Sequence, residues 1–256
     1  MLIRILGAHS CESRATRCVC ILVDDRLAID AGGLTSSLSI LDQQKLKAIL
    51  LTHQHYDHIR DVPMVALTLY RCRTNVEVYS TPNVLDTIET HLLNGIVYPR
   101  FQEIPKEKPT ISLNAIVPYE TRRINGYGVL PVPVNHDGIT VGYQISDAKR
   151  KTIFYTADTG PGLTDCWKCL SPQLLIIDVT VPDSYQKFAT ETGHLTPSLL
   201  SEELMQFQEI KGYLPQIVLV HMDPILEKET TEDIKRISEA FNTPITIAYE
   251  GMKLYI

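Results

Sequence analysis

Apolar positions recur along the chain with two different spacings. Short apolar or alternating runs predict strands at Leu2–Leu6, Cys18–Val23, Leu27–Asp30, Lys47–Thr52, Val76–Ser80 and Val129–Val134. Further runs predict strands at Thr140–Ile145, Thr152–Thr156, Leu174–Thr180, Gln216–Val220 and Ile245–Ile256. Between them the spacing becomes helical. Val62, Val65, Ala66 and Leu69 share one face, behind Asp61 as a cap and Pro63 in the first turn. Asn83–Leu93 repeats this through Val84, Ile88 and Leu92. Thr196 caps a helix that Pro197 opens and that runs to about Ile210. A last helix, Glu227–Phe241, is charged on one face and stops near Asn242-Thr243-Pro244. Strands in hairpin-like clusters, then strands alternating with helices, predict a layered α/β architecture. No short-period repeat or low-complexity segment divides the chain, and Pro105–Pro109 reads as a surface loop. One domain over residues 1–256 is therefore expected.

Composition narrows the setting. The chain has 256 residues and a formal charge of −6, which gives no support to nonspecific nucleic-acid binding. No apolar run reaches the roughly 18 residues that a membrane span needs. Met1–Gly7 reads as a first strand rather than an export signal, so a cytoplasmic protein with reduced thiols is expected. Six cysteines in a chain of this length do not make a disulfide scaffold. Cys166 and Cys169 have the spacing of a redox or zinc pair, but lack a partner pair and read as a local loop feature. Cys18 and Cys20 share a strand face and read as small buried hydrophobes.

Chemistry concentrates in Thr52-His53-Gln54-His55-Tyr56-Asp57-His58, directly after an apolar strand. Four ligand-type side chains in six residues are costly to pack together without a use. Neutral imidazole and carboxylate are the donor set of zinc and similar divalent ions. A tight loop cannot aim all four at one ion. Two adjacent ions can share them, with His53 and His55 at one and Asp57 and His58 at the other. Further ligands are expected where other apolar strands end, the edge at which α/β sheets build sites. His136, Asp158 and His221 stand at such ends. Any one alone reads as a turn residue; together they complete two metal sites.

With these residues in place, the sequence resembles the metallo-β-lactamase superfamily of binuclear metallohydrolases, whose HxHxDH signature is matched by residues 53–58. Leu6-Gly7 and Leu27–Gly32 look like its opening hairpin, and Ile247–Met252 like its closing strand. The resemblance implies a four-layer αβ/βα sandwich with the metals at one sheet edge. It implies a first ion on His53, His55 and His136, a second on Asp57, His58 and His221, and Asp158 bridging. The ions would be zinc, with manganese or iron also suited to a donor set free of thiolate. Asp30 is expected to support the ligand loop through hydrogen bonds.

Four blocks carry the resemblance into one branch: Val134–Tyr143, Tyr155–Gly160, Leu174–Thr180 and Thr192–Pro197 are similar to ribonuclease Z and related phosphodiesterases. There an acid and a histidine form a proton-donating pair, matched here by Asp178 and His194. This chain has Asp where Glu is typical, and Gly-His-Leu-Thr where the pattern is His-Ser-Thr. Only 22 positions separate His136 from Asp158, which leaves no room for a transfer-RNA-binding arm. The reading is therefore a phosphodiesterase for a small cyclic or nucleotide-like diester, using a metal-bridging hydroxide, with Asp57 helping to orient it. RNA is disfavoured as a substrate, and a homodimer is what the resemblance implies. Competing readings are a ribonuclease Z-type endonuclease, an ester, thioester or lactam hydrolase, and a metal-binding protein without turnover. His9 reads as a plain loop histidine near the site mouth, and His91 as a surface or packing residue.

Overall fold

Most central strands are apolar on both faces, and this dictates layering. Ala48 and Leu50 point one way and Ile49 and Leu51 the other, and all four are buried. A sheet of such strands must be covered on both sides. A computed structural model describes residues 1–256 and shows how.

The first half runs β1 (Leu2–Gly7), β2 (Cys20–Val23), β3 (Leu27–Ile29), α1 (Leu34–Ser37), α2 (Ile40–Gln43) and β4 (Ala48–Leu50). It continues with α3 (Tyr56–Ile59), α4 (Val62–Arg71), β5 (Val76–Ser80), α5 (Pro82–Thr87) and β6 (Ile111–Ala115). The second half holds β7 (Arg122–Ile124), β8 (Tyr127–Pro133), β9 (Val141–Ser146), β10 (Thr152–Tyr155), α6 (Thr164–Cys169) and β11 (Leu174–Asp178). Then come α7 (Gln186–Thr192), α8 (Pro197–Lys211), β12 (Gln216–Val220), α9 (Glu227–Phe241), β13 (Ile245–Ile247) and β14 (Lys253–Tyr255).

Two seven-stranded sheets result, ordered β14-β1-β2-β3-β4-β5-β6 and β13-β12-β11-β10-β9-β8-β7. Side chains such as Ile3, Ile21, Leu50, Tyr143, Ile153 and Val218 fill the space between the sheets. Val65, Leu69 and Val84 pack helices on the outer face of the first sheet, and Trp167, Leu200 and Phe207 do so on the second. This is the expected four-layer α/β sandwich of the metallo-β-lactamase fold.

The differences from expectation have local causes. The run Ile245–Ile256 is two strands, not one. Gly251 takes φ +87° between them, so β13 pairs with β12 in one sheet and β14 with β1 in the other. Asn83–Leu93 is helical as expected, but the α-helix α5 widens after Thr87 into a π-helical turn, Ile88–Leu92, closed by Leu93 N–H on Ile88 O. Asp61 stands at the head of α4 but does not cap it; its Oδ2 accepts from Thr35 N–H at 2.7 Å. Cys166 and Cys169 lie on helix α6 rather than in a loop, and both are free thiols. Burial pushes the Cys166 thiol up to about 12, the mark of a packing residue. Cys18 and Cys20 are buried as expected.

One buried group ties α8 to the loop after β10. Glu203 is 1% exposed, and its Oε1 accepts from Gly162 N–H at 2.6 Å. Its Oε2 accepts from Trp167 Nε1 at 2.8 Å. Leu163 N–H also points at the carboxylate, 3.3 Å from each oxygen. Glu203→Ala would leave these buried donors unpaired and should destabilise the fold by about 3 kcal/mol. Urea unfolding followed by the fluorescence of Trp167, the only tryptophan, measures it. A loss below about 1 kcal/mol would show that other contacts hold the loop.

Candidate active site

Parallel strands bring distant parts of the chain to one edge. Strands β3, β4 and β5 run parallel, as do β10, β11, β12 and β13. The C-terminal ends of β3, β4, β10, β11 and β12 carry Asp30, His53, Asp158, Asp178 and His221, with His136 following β8. The two sheets are sewn together there. Val141 N–H donates to Thr52 O at 3.2 Å, Tyr143 OH to Leu51 O at 2.8 Å, and His221 N–H to Ala8 O at 2.6 Å.

The local conformation of residues 53–58 explains their spacing. His55, just before α3, has an extended backbone, and its ring lies against that of His53 with centroids 4.6 Å apart. At Tyr56 the chain turns into α3, and Asp57 and His58 become neighbours on a helical turn. Two ligand groups follow. In His53, His55, His136 and Asp158 the donor atoms lie within 4.8 Å of one another. The same holds for Asp57, His58, Asp158 and His221. Asp158 belongs to both, with Oδ2 3.7 Å from His53 Nε2 and 3.2 Å from both His58 Nε2 and His221 Nε2. All seven expected ligands thus converge.

Hydrogen bonds decide which nitrogen each imidazole presents. Thr52 Oγ1 donates to Asp30 and can then only accept from His53 Nδ1–H, at 2.9 Å. Thr180 Oγ1 donates to Asp178 Oδ1 at 2.6 Å and accepts from His221 Nδ1–H at 2.9 Å. His58 Nδ1 is 2.8 Å from Asp30 Oδ2, and His136 Nδ1 donates to Gly193 O at 2.8 Å. Four Nε2 atoms are thereby left for the centre. His55 is the exception: its Nε2 is 3.5 Å from Asp137 Oδ2, and its Nδ1 lies 3.2 Å from His136 Nε2.

Gly193 is required by this packing. It takes φ +72°, and a Cβ there would come within 3.0 Å of His136 Nδ1. Asp178 also accepts from Thr159 N–H at 3.1 Å and from His194 Nδ1–H at 2.9 Å. The His194 ring stacks on His221 with centroids 5.1 Å apart and sits 4.9 Å from His136. The expected Asp178–His194 pair is therefore formed, against the ligand cluster.

Electrostatics and unmet polar groups mark the centre as a cation site. Burial raises the cost of ionising Asp57 and Asp158, but imidazoles outweigh it, His221 and His58 in both cases, and hold both well below the usual carboxylate range. Burial likewise opposes charge on His58 and His221. Asp158 and Asp30 nevertheless raise His58, and Asp158, Asp178 and Asp57 raise His221 to about 10. Burial dominates at His53 and His136 and lowers both. His53 Nε2, His58 Nε2 and Asp158 Oδ1 are buried with no hydrogen-bond partner. Such atoms are expensive to leave unmet, and a divalent ion coordinated by them removes the cost. The residues fit a metal centre.

A cavity of about 460 Å³ opens beside the cluster. His55 and His136 form its floor, with Asn135, Asp137, Glu191 and Gly193 among its walls. No Arg or Lys lines it.

Other residues depart from expectation or were not foreseen. His9 is not a plain loop histidine. It is buried, with Nδ1 2.7 Å from Glu250 Oε1, which also accepts from Arg17 N–H. His91 is exposed, as expected. Thr52, Thr180, Asp137 and Tyr155 were missed; Tyr155 OH donates to Asp30 Oδ2 at 3.2 Å. Their adjacency to ligands was the one available signal for Thr52 and Asp137.

Known proteins share this arrangement of elements. Yeast PDE1 in its unliganded form superposes with a TM-score of 0.83 at 16% identity, over 100% of this chain and 99% of its own. The metallo-β-lactamase fold protein YhfI from Bacillus subtilis gives 0.74 at 17% identity, over 99% and 98%. The short form of human tRNase Z gives 0.71 at 18% identity, over 100% and 99%. No curated protein sequence matches the chain. The sequence profile of the β-lactamase superfamily domain matches residues 28–222. These residues include all seven convergent ligands, and the chain belongs to that superfamily.

Proposed function

We propose that the protein is a metal-dependent phosphodiesterase acting on a small cyclic or nucleotide-like phosphodiester, with two divalent ions, zinc foremost. Family membership and the His/Asp clusters support a metal-dependent hydrolase. The observation that carries the finer reading is the Asp178–His194 pair beside those clusters. An alkoxide leaving from phosphorus needs a proton. Asp178 is buried, but the charge and hydrogen bonds of His194 and His221 keep it ionised. It takes the Nδ1–H of His194, so Nε2 is the nitrogen that donates to the leaving oxygen.

The cavity supports a small substrate. Its lining has two carboxylates, Asp137 and Glu191, and no cation of its own. Lys187 reaches Glu191 from outside at 3.8 Å. A polyanion such as RNA would find no counter-charge here. The hairpin of β9 and β10 fills the interval between His136 and Asp158, where an RNA-binding arm would stand.

Bound divalent ions would supply Lewis acidity toward phosphoryl oxygens and water acidified to a nucleophile at neutral pH. His53, His55 and His136 would hold one and Asp57, His58 and His221 the other, with Asp158 shared. Asp57, about a third exposed and 3.4 Å from His58 Nε2, can orient the attacking water. Thr52, Thr180 and Gly193 O keep the imidazoles in the tautomers this requires.

Three outcomes test the proposal. His194→Ala should lower kcat about 10²-fold or more on a cyclic nucleotide, but far less on bis(4-nitrophenyl) phosphate, whose leaving group needs no proton. Equal losses on both would remove His194 as the acid. Turnover of a thioester or precursor transfer RNA, with no cyclic nucleotide or diester cleaved, would overturn the substrate class.

Asp158→Ala should lose metal and turnover together, read by elemental analysis and steady-state kinetics. Full activity without metal would end the metal-dependent reading.

Metal loading must also displace protons. His58 and His221 hold theirs at neutral pH in the metal-free protein, His221 up to about 10, so metal affinity rises with pH toward that value. Zinc added at pH 7 to chelator-treated protein should release roughly two protons. Calorimetry in buffers of different ionisation enthalpy counts them, and a count of zero would contradict the assignment.

A further inference from the structure

A second cavity, about 450 Å³, lies at the far end of the first sheet. Asn75, just before β5, and Thr110, just before β6, stand on its wall. The metal cluster follows the opposite, C-terminal end of β4, which runs parallel to β5. A strand's length, roughly 15 Å, therefore separates the two.

Arg71, Arg73 and Lys108 line this cavity, and no carboxylate does. That is unusual in a chain of net charge −6. None of the three belongs to the ion pairs that Arg and Lys form elsewhere. Cations at the end of α4 would ordinarily serve its last carbonyls. Here backbone groups already do so: Cys72 N–H bonds Thr68 O, Arg73 N–H bonds Tyr70 O, and Thr74 N–H bonds Leu69 O. Arg73 itself takes φ +54°, a position where glycine is the usual choice. Tyr70 adds an aromatic wall. The residue is 40% exposed, and its ring rests 5.4 Å from the Phe101 ring.

We propose that this cavity binds a nucleoside monophosphate or an organic phosphate of that class, its phosphate held by Arg71, Arg73 and Lys108 and its base against Tyr70. Two guanidinium forks and an ammonium suit a phosphate dianion. An aromatic face suits a base. The volume is that of a small-molecule site. The site is independent of the hydrolytic one and needs no metal.

Calorimetric titration of the metal-loaded protein with adenosine 5′-monophosphate tests this, beside inorganic phosphate and adenosine. The metal centre can also accept anions, so the comparison that decides is with variants. Arg71→Ala/Arg73→Ala/Lys108→Ala should weaken binding about tenfold or more. Metal content should stay unchanged. Lys108→Ala alone, in a loop away from α4, should weaken it in the same direction if the triple variant fails to fold. Tyr70→Ala should weaken the nucleotide and leave inorganic phosphate unaffected. Identical isotherms for the wild type and the cation variants would overturn the site. Equal affinity for phosphate and nucleotide in the wild type would overturn the nucleotide assignment.

Discussion

Two buried carboxylates govern the chemistry of this molecule. Asp30 and Asp178 are both fully buried, one at the end of each sheet. A buried carboxylate costs several kcal/mol unless its oxygens are met. Each is met in the same way. Asp30 takes His58 directly and His53 through the hydroxyl of Thr52. Asp178 takes His194 directly and His221 through the hydroxyl of Thr180. A hydroxyl has one proton to give, so once it donates to the carboxylate it must accept from the imidazole. The tautomer of four histidines is thereby fixed from behind, with the reactive nitrogens facing the centre. One half of this duplicated device serves ligands only, while the other serves a ligand and the candidate acid. The difference lies in what the directly bonded imidazole faces, not in how it is held.

Such an arrangement demands a rigid edge, and the sandwich supplies it at the price of local strain. Asp30, Ala157 and His221 all take left-handed backbone conformations, with φ of 58°, 62° and 66°. Each sits where a strand ends and the chain must turn toward the cluster. Strain of this kind persists only where surrounding contacts over-determine it. Asp30 N–H is fixed on Leu50 O and His221 N–H on Ala8 O. The His9–Glu250 contact, reinforced by Arg17 N–H, then locks the loop after β1 to the turn before β14. This places a clamp on the side of the site where His221 crosses to the first sheet.

Legibility in the sequence followed density and periodicity. Residues 53–58 announced themselves because no ordinary turn needs four such groups. His136, Asp158 and His221 were readable because each follows an apolar run long enough to mark a strand end. The long helices α8 and α9 were visible because they repeat their pattern over several turns. The short elements were not. Helices α1, α2, α6 and α7 span 4 to 7 residues, too few to display a period. Strand β7 is an edge strand with two exposed arginines, so burial writes no alternation into it. Thr52 and Thr180 carry no compositional mark at all, since a threonine that orients a histidine looks like any strand threonine. His9 was misread because its partner, Glu250, lies 241 positions away.

The charge of the site argues for a division of labour between metal and protein. Without metal, three low carboxylates, Asp57, Asp158 and Asp178, face two protonated imidazoles, His58 and His221, and the centre carries net negative charge. Exchanging two protons for two divalent ions would raise the local charge by about two units. The cavity walls add no cation of their own. Affinity for an anionic substrate would then exist only in the loaded protein, coupled to metal through charge rather than through a change of shape. The walls are left to select among anions: Asp137 and Glu191 penalise each additional negative charge on the substrate. A single phosphodiester carries one such charge and a polynucleotide many. Under the proposed function, the same carboxylates would favour a single diester over a polynucleotide, two substrate classes that the fold alone leaves together.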